Sequence, residues 1–269
     1  MKLNSRLFII LSAVMSIAAG AAGLTQPAQA QQPKDYTPEQ VVESVILIMG
    51  SRPVLAQIRR NGVERGRMSR MTPEGRSEEA RYELRFIHGD KTEKDKVRID
   101  QKTPQTEFTL INSEGRVFGI INGSPFTPRA DTTADFLSQQ TRSIDALLRY
   151  KENESKLASA GKDKQQGVDV YVIDLIDKAN RKTRFFISAK TFRVLWLEYE
   201  ETPPDQITAV KYTKRFYDYR VAQNTLVPYR TVVLEDGKQT RETRVLTVTY
   251  GVKMEEAVFK HPDAGGTGF

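Results

Sequence analysis

Apolar residues first recur at helical spacing. Val41, Val42, Val45, Ile46 and Met49 fall on one side of a helix that begins at Thr37-Pro38-Glu39-Gln40. Thr stands at the N-cap, Pro at the first helical position and Gln at the third, a capping-box start. Pro53 breaks this helix, and residues 54–60 form a second, short one. After Asn61-Gly62 the period changes to two. Arg81-Tyr82-Glu83-Leu84-Arg85-Phe86 alternates charged and apolar side chains, the mark of a strand with one wet and one dry face. Val97 and Ile99 alternate with Lys96, Arg98 and Asp100 in the next strand. Residues 107–111 and 116–121 supply two more around Asn112-Ser113-Glu114-Gly115.

A Gly-, Pro- and Thr-rich loop follows at 123–133. Asp131-Thr132-Thr133 offers N-cap side chains for a helix of about 20 residues, with Phe136, Leu137, Ile144, Leu147 and Leu148 on one stripe. Residues 161–167 read as a polar connector. Strands resume over 168–177, 182–189, 192–200, 209–221, 226–235 and 241–250, the last two joined by the hairpin signal Asp236-Gly237. Strands without alternating helices predict an antiparallel sheet, and a sheet of about ten strands must curl, close or split. The central helix would then lie over the concave side of a curled sheet.

Several strands are apolar on both faces. Val168-Asp169-Val170-Tyr171-Val172-Ile173-Asp174-Leu175-Ile176 and Val194-Leu195-Trp196-Leu197-Glu198-Tyr199 carry large apolar groups at both parities. A sheet dry on both sides needs cover on both sides. Two readings stay open: an ordinary core under helices and long loops, or a hydrophobic cavity for a lipid or acyl chain.

The N-terminus adds a destination. Lys2 and Arg6 precede an uncharged, mostly apolar run over residues 7–24, and Ala28-Gln29-Ala30 is a small-x-small cleavage site. This is a secretory signal over residues 1–30, and cleavage near Ala30 is expected to leave a soluble protein outside the cytoplasm, which the resemblance given below narrows to the periplasm. The competing reading, a membrane anchor, is weakened by Ser12 and Ser16 within the run. The chain has no cysteine, which excludes disulfides, thiolate metal sites and a lipid-bearing cysteine. The formal charge is +7, and removing Lys2 and Arg6 leaves 7 − 2 = +5. The basic residues are interspersed with acids, so nucleic acid is not an expected partner. His88 and His261 are the only histidines. No HExxH, GxSxG, phosphate-loop or EF-hand pattern is present, so neither an enzyme nor a cofactor is expected. Residues 263–269 read as a disordered tail.

Four segments in order resemble the periplasmic lipoprotein-carrier superfamily, the LolA/LolB-like proteins. The first is the helix directly after the signal. The second is Arg184-Phe185-Phe186-Ile187 with Thr191-Phe192-Arg193-Val194-Leu195, running into Leu197-Glu198-Tyr199. The third is Tyr217-Asp218-Tyr219-Arg220 followed by Leu226-Val227-Pro228-Tyr229-Arg230. The fourth is Val245 to Val252, ending in Phe259-Lys260-His261-Pro262. Residues 61–100 and 151–167 depart from the family's layout, and no residue matches the carriers' mouth-lining arginine.

The resemblance implies an α+β fold: an incomplete, strongly curved antiparallel β-barrel with helices covering the concave face, formed as a single domain over residues 31–262. It implies a soluble monomeric carrier that holds acyl chains of lipoproteins or lipids and moves them between membranes. Its partners would be an inner-membrane transporter and an outer-membrane receptor. The alternative is a periplasmic sensor or scaffold that uses the same fold to bind a protein. The expected cavity side chains are Tyr82, Leu84, Phe86, Val97, Ile99, Leu110, Leu195, Leu197 and Tyr199. Leu137, Ile144, Leu147 and Leu148 would form the apolar stripe of a lid helix.

Overall fold

A computed structural model describes residues 36–260, except positions 73, 114 and 166. The signal segment 1–30, His261-Pro262 and the tail 263–269 lie outside the described residues. Helix α1 (Pro38–Met49) starts at the anticipated capping box: Thr37 accepts from the Gln40 backbone N–H, and the Gln40 side chain accepts from the Thr37 N–H. Gly50 ends it at φ 142°, a conformation that disfavours any side chain. Helix α2 (Arg52–Ile58) follows with Pro53 in its first turn.

The chain then builds β1 (Asn61–Met71), β2 (Ser77–Ile87), β3 (Lys96–Lys102), β4 (Glu107–Ser113), β5 (Arg116–Ile121) and β6 (Ser124–Phe126). Next come helices α3 (Ala130–Thr141) and α4 (Ile144–Leu148). The second series is β7 (Lys156–Gln165), β8 (Val168–Ile176), β9 (Lys182–Ser188), β10 (Val194–Glu201), β11 (Val210–Ala222), β12 (Thr225–Glu235) and β13 (Lys238–Tyr250).

The described strands form one antiparallel sheet in the order β6-β5-β4-β3-β2-β1-β13-β12-β11-β10-β9-β8-β7. The first long strand pairs with the last, so β1 and β13 form a seam between an N-terminal and a C-terminal wing. The sheet is not closed and not strongly curled, which corrects the curved-barrel expectation. Its ends cannot close on each other for a local reason. β6 has three residues and a central Pro125, and β7 is exposed along most of its length, with a register shift between Ser159 and Lys162. Short, proline-bearing, lysine-rich and bulged edges stop further pairing.

The anticipated 20-residue central helix is also two helices. α3 stops at Arg142, and the Ser143 hydroxyl then caps α4 by accepting from the Ala146 N–H. The start moves too: α3 begins at Ala130, and its N-cap residue, Arg129, makes no side-chain cap bond.

The strands that are apolar on both faces have a simple explanation. Tyr171, Ile173 and Leu175 of β8 and Phe185 and Ile187 of β9 face α1 and α4. Val170, Val172 and Phe186 face the other way, into a smaller cluster with Leu195 and Trp196, where the Phe186 and Trp196 rings stack at 4.4 Å.

Candidate functional site

The N-terminal wing is packed differently. Along β2, Tyr82, Leu84 and Phe86 share one face, while Glu83 and Arg85 on the other face pair with Arg65 and Asp100. The register aligns Leu84 with Ile99 of β3 and Glu64 of β1, and Phe86 with Val97 and Gly62. Glu64 in turn lies opposite Val248, and Gly62 opposite Tyr250. Gly62 lets Phe86 and Tyr250 approach edge to face at 6.3 Å, because a Cβ there would meet their rings at 2.8 and 2.9 Å.

These side chains floor a cavity of roughly 280 Å³, to which Met68, Val227 and Val248 add apolar surface. Phe136, Gln139 and Gln140 of α3 and Ser143, Asp145 and Ala146 at α4 roof it. Most of the charged groups in the lining pair with one another. The Arg59 guanidinium donates to Asp145 at 2.9 Å. Arg149 donates to Asp95 at 2.6 and 3.1 Å and to the Gly89 carbonyl at 2.8 Å. His88 Nδ1 stands 2.9 Å from Asp95, which occupies this histidine in the same network.

Glu64 is the acid within an otherwise apolar row. Burial raises its pKa above the usual carboxylate range, outweighing the Tyr82 hydroxyl that donates to it at 2.7 Å and the nearby Arg59. Burial would raise Asp145 as well, but Arg59, His88 and Arg149 outweigh it and hold that carboxyl below its ordinary value. Among the described residues, no group of three or more histidine or acidic side chains is placed to hold a metal ion.

No family model matches the chain, and no curated protein matches it. Solved structures do. A LolA-superfamily protein from Nitrosomonas europaea superposes with a TM-score of 0.57 at 11% identity, over 84% of this chain and 99% of its own. A DUF1329-family protein from Desulfovibrio piger gives 0.57 at 12% identity, over 84% and 98%. A domain from Vibrio parahaemolyticus named for outer membrane lipoprotein sorting gives 0.51 at 14%, over 74% and 89%. The chain has the LolA-superfamily fold.

Within this LolA-like chain the candidate cavity residues part company. Tyr82, Leu84, Phe86, Val97 and Ile99 line the one cavity together. Leu110 is buried beside them, in the same apolar cluster as Phe136. Leu197 and Tyr199 belong to the core under α1 and α4. Leu195 lies on the opposite face, because a register shift between Val194 and Trp196 breaks the alternation that would have aligned it with Leu197. Of the expected lid stripe, Ile144, Leu147 and Leu148 pack into that same core with α1, and Leu137 is partly buried. The roof of the cavity is instead the more polar side of the two helices.

Glu64, Arg59, Met68 and Val248 were not expected at the cavity, and Phe136 was expected only on the stripe of the central helix. One signal could have found β1: glycines inside a strand often mark a close approach of another group. At Gly66 an added Cβ would stand 2.2 Å from the Arg244 carbonyl oxygen and 2.7 Å from the Tyr82 ring.

Proposed function

We propose that this chain is a periplasmic carrier that takes acyl chains of lipoproteins or lipids into the cavity under α3 and α4. It would work after loss of residues 1–30, with residues 31–262 as one domain. The observation that carries the reading is the apolar floor of Tyr82, Leu84, Phe86, Val97 and Ile99 beneath a roof of short helices, with Arg59, Asp95, Asp145 and Arg149 of the lining paired among themselves. Its volume of roughly 280 Å³ is near the lower end of small-molecule sites, about 300–1,000 Å³. Two adjoining hollows share Arg59 and Asp145 with it, so a long chain has room to continue beyond the apolar floor.

Burying each methylene is worth about 0.8 kcal/mol, and a chain of ~16 carbons offers on the order of 10 kcal/mol before ordering costs. Such binding needs no catalytic group. An inner-membrane transporter that loads the carrier and an outer-membrane receptor that unloads it complete the proposal.

The test is native mass spectrometry of the protein purified from its own envelope. Bound masses of acylated species, absent from a Leu84→Asp variant, are expected. A chain that stays free of lipid but holds a protein partner would point to the scaffold or sensor role instead.

A further inference from the structure

The hollow beside the apolar cavity has an unusual charge balance. Its volume is roughly 270 Å³, and Arg59, Arg142, Lys214 and Arg241 line it against only Glu64 and Asp145. Asp145 is already engaged by Arg59, and Glu64 is held toward its neutral form by burial. Arg241 reaches Asp135 at 3.3 Å. Arg142 and Lys214 remain. They are 3% and 6% exposed, and neither makes an ion pair among the described residues.

What these two cations do have is weak compensation for lost hydration. Lys214 Nζ donates to the Arg142 carbonyl at 2.8 Å, and Arg142 Nη1 donates to the Thr183 hydroxyl at 2.7 Å. Both stand over the Tyr199 ring, at 5.6 and 5.1 Å. Arg142 Nε is buried with no acceptor. Lysine and arginine are rarely buried unless paired, and two such groups side by side also repel each other. An anion in the hollow would relieve both costs.

We propose that Arg142, Lys214 and Arg241 receive the anionic head of an acyl ligand, a phosphate or carboxylate, while its chain lies in the adjoining apolar cavity. This rests on the carrier reading and narrows its substrate to acidic amphiphiles. The two hollows share Arg59, Glu64, Gln139, Ser143, Asp145, Val227 and Thr243 as common wall, so a single molecule can occupy both.

Lys214 also supplies a pH signature. Burial, then repulsion from Arg241, lowers its pKa to about 7, partly offset by Asp135. It faces Arg142 from the helix break, Asp135 from α3, Tyr199 and Glu201 from β10, and Arg241 from β13. Burial raises the Tyr199 hydroxyl, so that group stays neutral. Anion binding should therefore weaken as pH rises above 7 and Lys214 loses its proton.

The test uses the mature chain and three oleoyl ligands: lysophosphatidate, free oleate and uncharged monoolein, each displacing a neutral fluorescent apolar probe. The wild type is expected to prefer at least one acidic ligand over monoolein by ten-fold or more at pH 7. The relative strength of lysophosphatidate and oleate tells a phosphate head from a carboxylate. Lys214→Met and Arg142→Gln should each erase most of that preference, and in the wild type it should shrink between pH 7 and 9. The wild-type measurements stand even if a variant fails to fold. Equal affinity for all three ligands would overturn the anionic site while leaving the carrier reading intact. Binding of none of them would overturn both.

Discussion

The two wings of the sheet use similar side chains but cover them unequally. In the C-terminal wing, Phe185, Ile187, Val194 and Leu197 are fully buried under α1 and α4, with Leu147 of α4 equally buried among them. In the N-terminal wing, Tyr82, Val97, Ile99 and Leu110 are buried, but Leu84, Phe86 and Phe108 remain only partly covered. Helix α1 and the apolar side of α4 are spent on the C-terminal wing, and the N-terminal wing receives mainly Phe136 of α3. The cavity thus arises from where the helices lie more than from any special composition of the strands beneath it.

If this contrast is right, equal truncations should have unequal costs. Leu147→Ala or Leu197→Ala should cost about 2–5 kcal/mol of stability, because each leaves a void in a filled core. Leu84→Ala should cost under about 1.5 kcal/mol, because its side chain already borders open space. Urea unfolding of the three variants checks this, and similar losses at all sites would erase the distinction.

Leu84→Asp against Arg85→Asp sharpens the same contrast across one strand. The first puts a carboxylate in the apolar row and should cost about 2–4 kcal/mol together with acyl binding. The second breaks the 2.7 Å pair with Asp100 at a part-exposed site and should cost about 1 kcal/mol with acyl binding retained.

A smaller effect tests the acid in the cavity wall. The folded-state pKa of Glu64 is raised, so its contribution to stability is full below its unfolded pKa and fades as pH rises through the folded value. Glu64→Gln removes this term. As pH rises above the ordinary carboxylate range, the wild type should lose stability relative to that variant, by about 1 kcal/mol or less, as followed by thermal unfolding.

Much of this arrangement was legible in the chain. The capping box at Thr37 and Gln40 fixed the start of α1, and strict alternation from Arg81 to Phe86 fixed which side of β2 faces the cavity. β1 was harder to see because Gly62 and Gly66 replace apolar side chains where Phe86, Tyr250 and Tyr82 press against the strand. β7 escaped because an exposed edge strand needs no apolar face. The break at Arg142-Ser143 is tertiary in origin: the Arg142 side chain reaches Thr183 on β9, and its carbonyl accepts from Lys214 on β11. Nor did the pattern reveal the open ends of the sheet, since local alternation carries no information on whether distant edges meet.

The central claim is that acyl chains enter the N-terminal wing. Its most direct test is to irradiate the mature protein with a fatty acid bearing a diazirine near its methyl end, then map the labelled peptides by mass spectrometry. The account predicts labels on the segments carrying Leu84, Phe86 and Ile99, suppressed by excess unlabelled fatty acid. Labelling confined to Leu195 and Trp196 on the opposite face, or none that excess ligand suppresses, would contradict it.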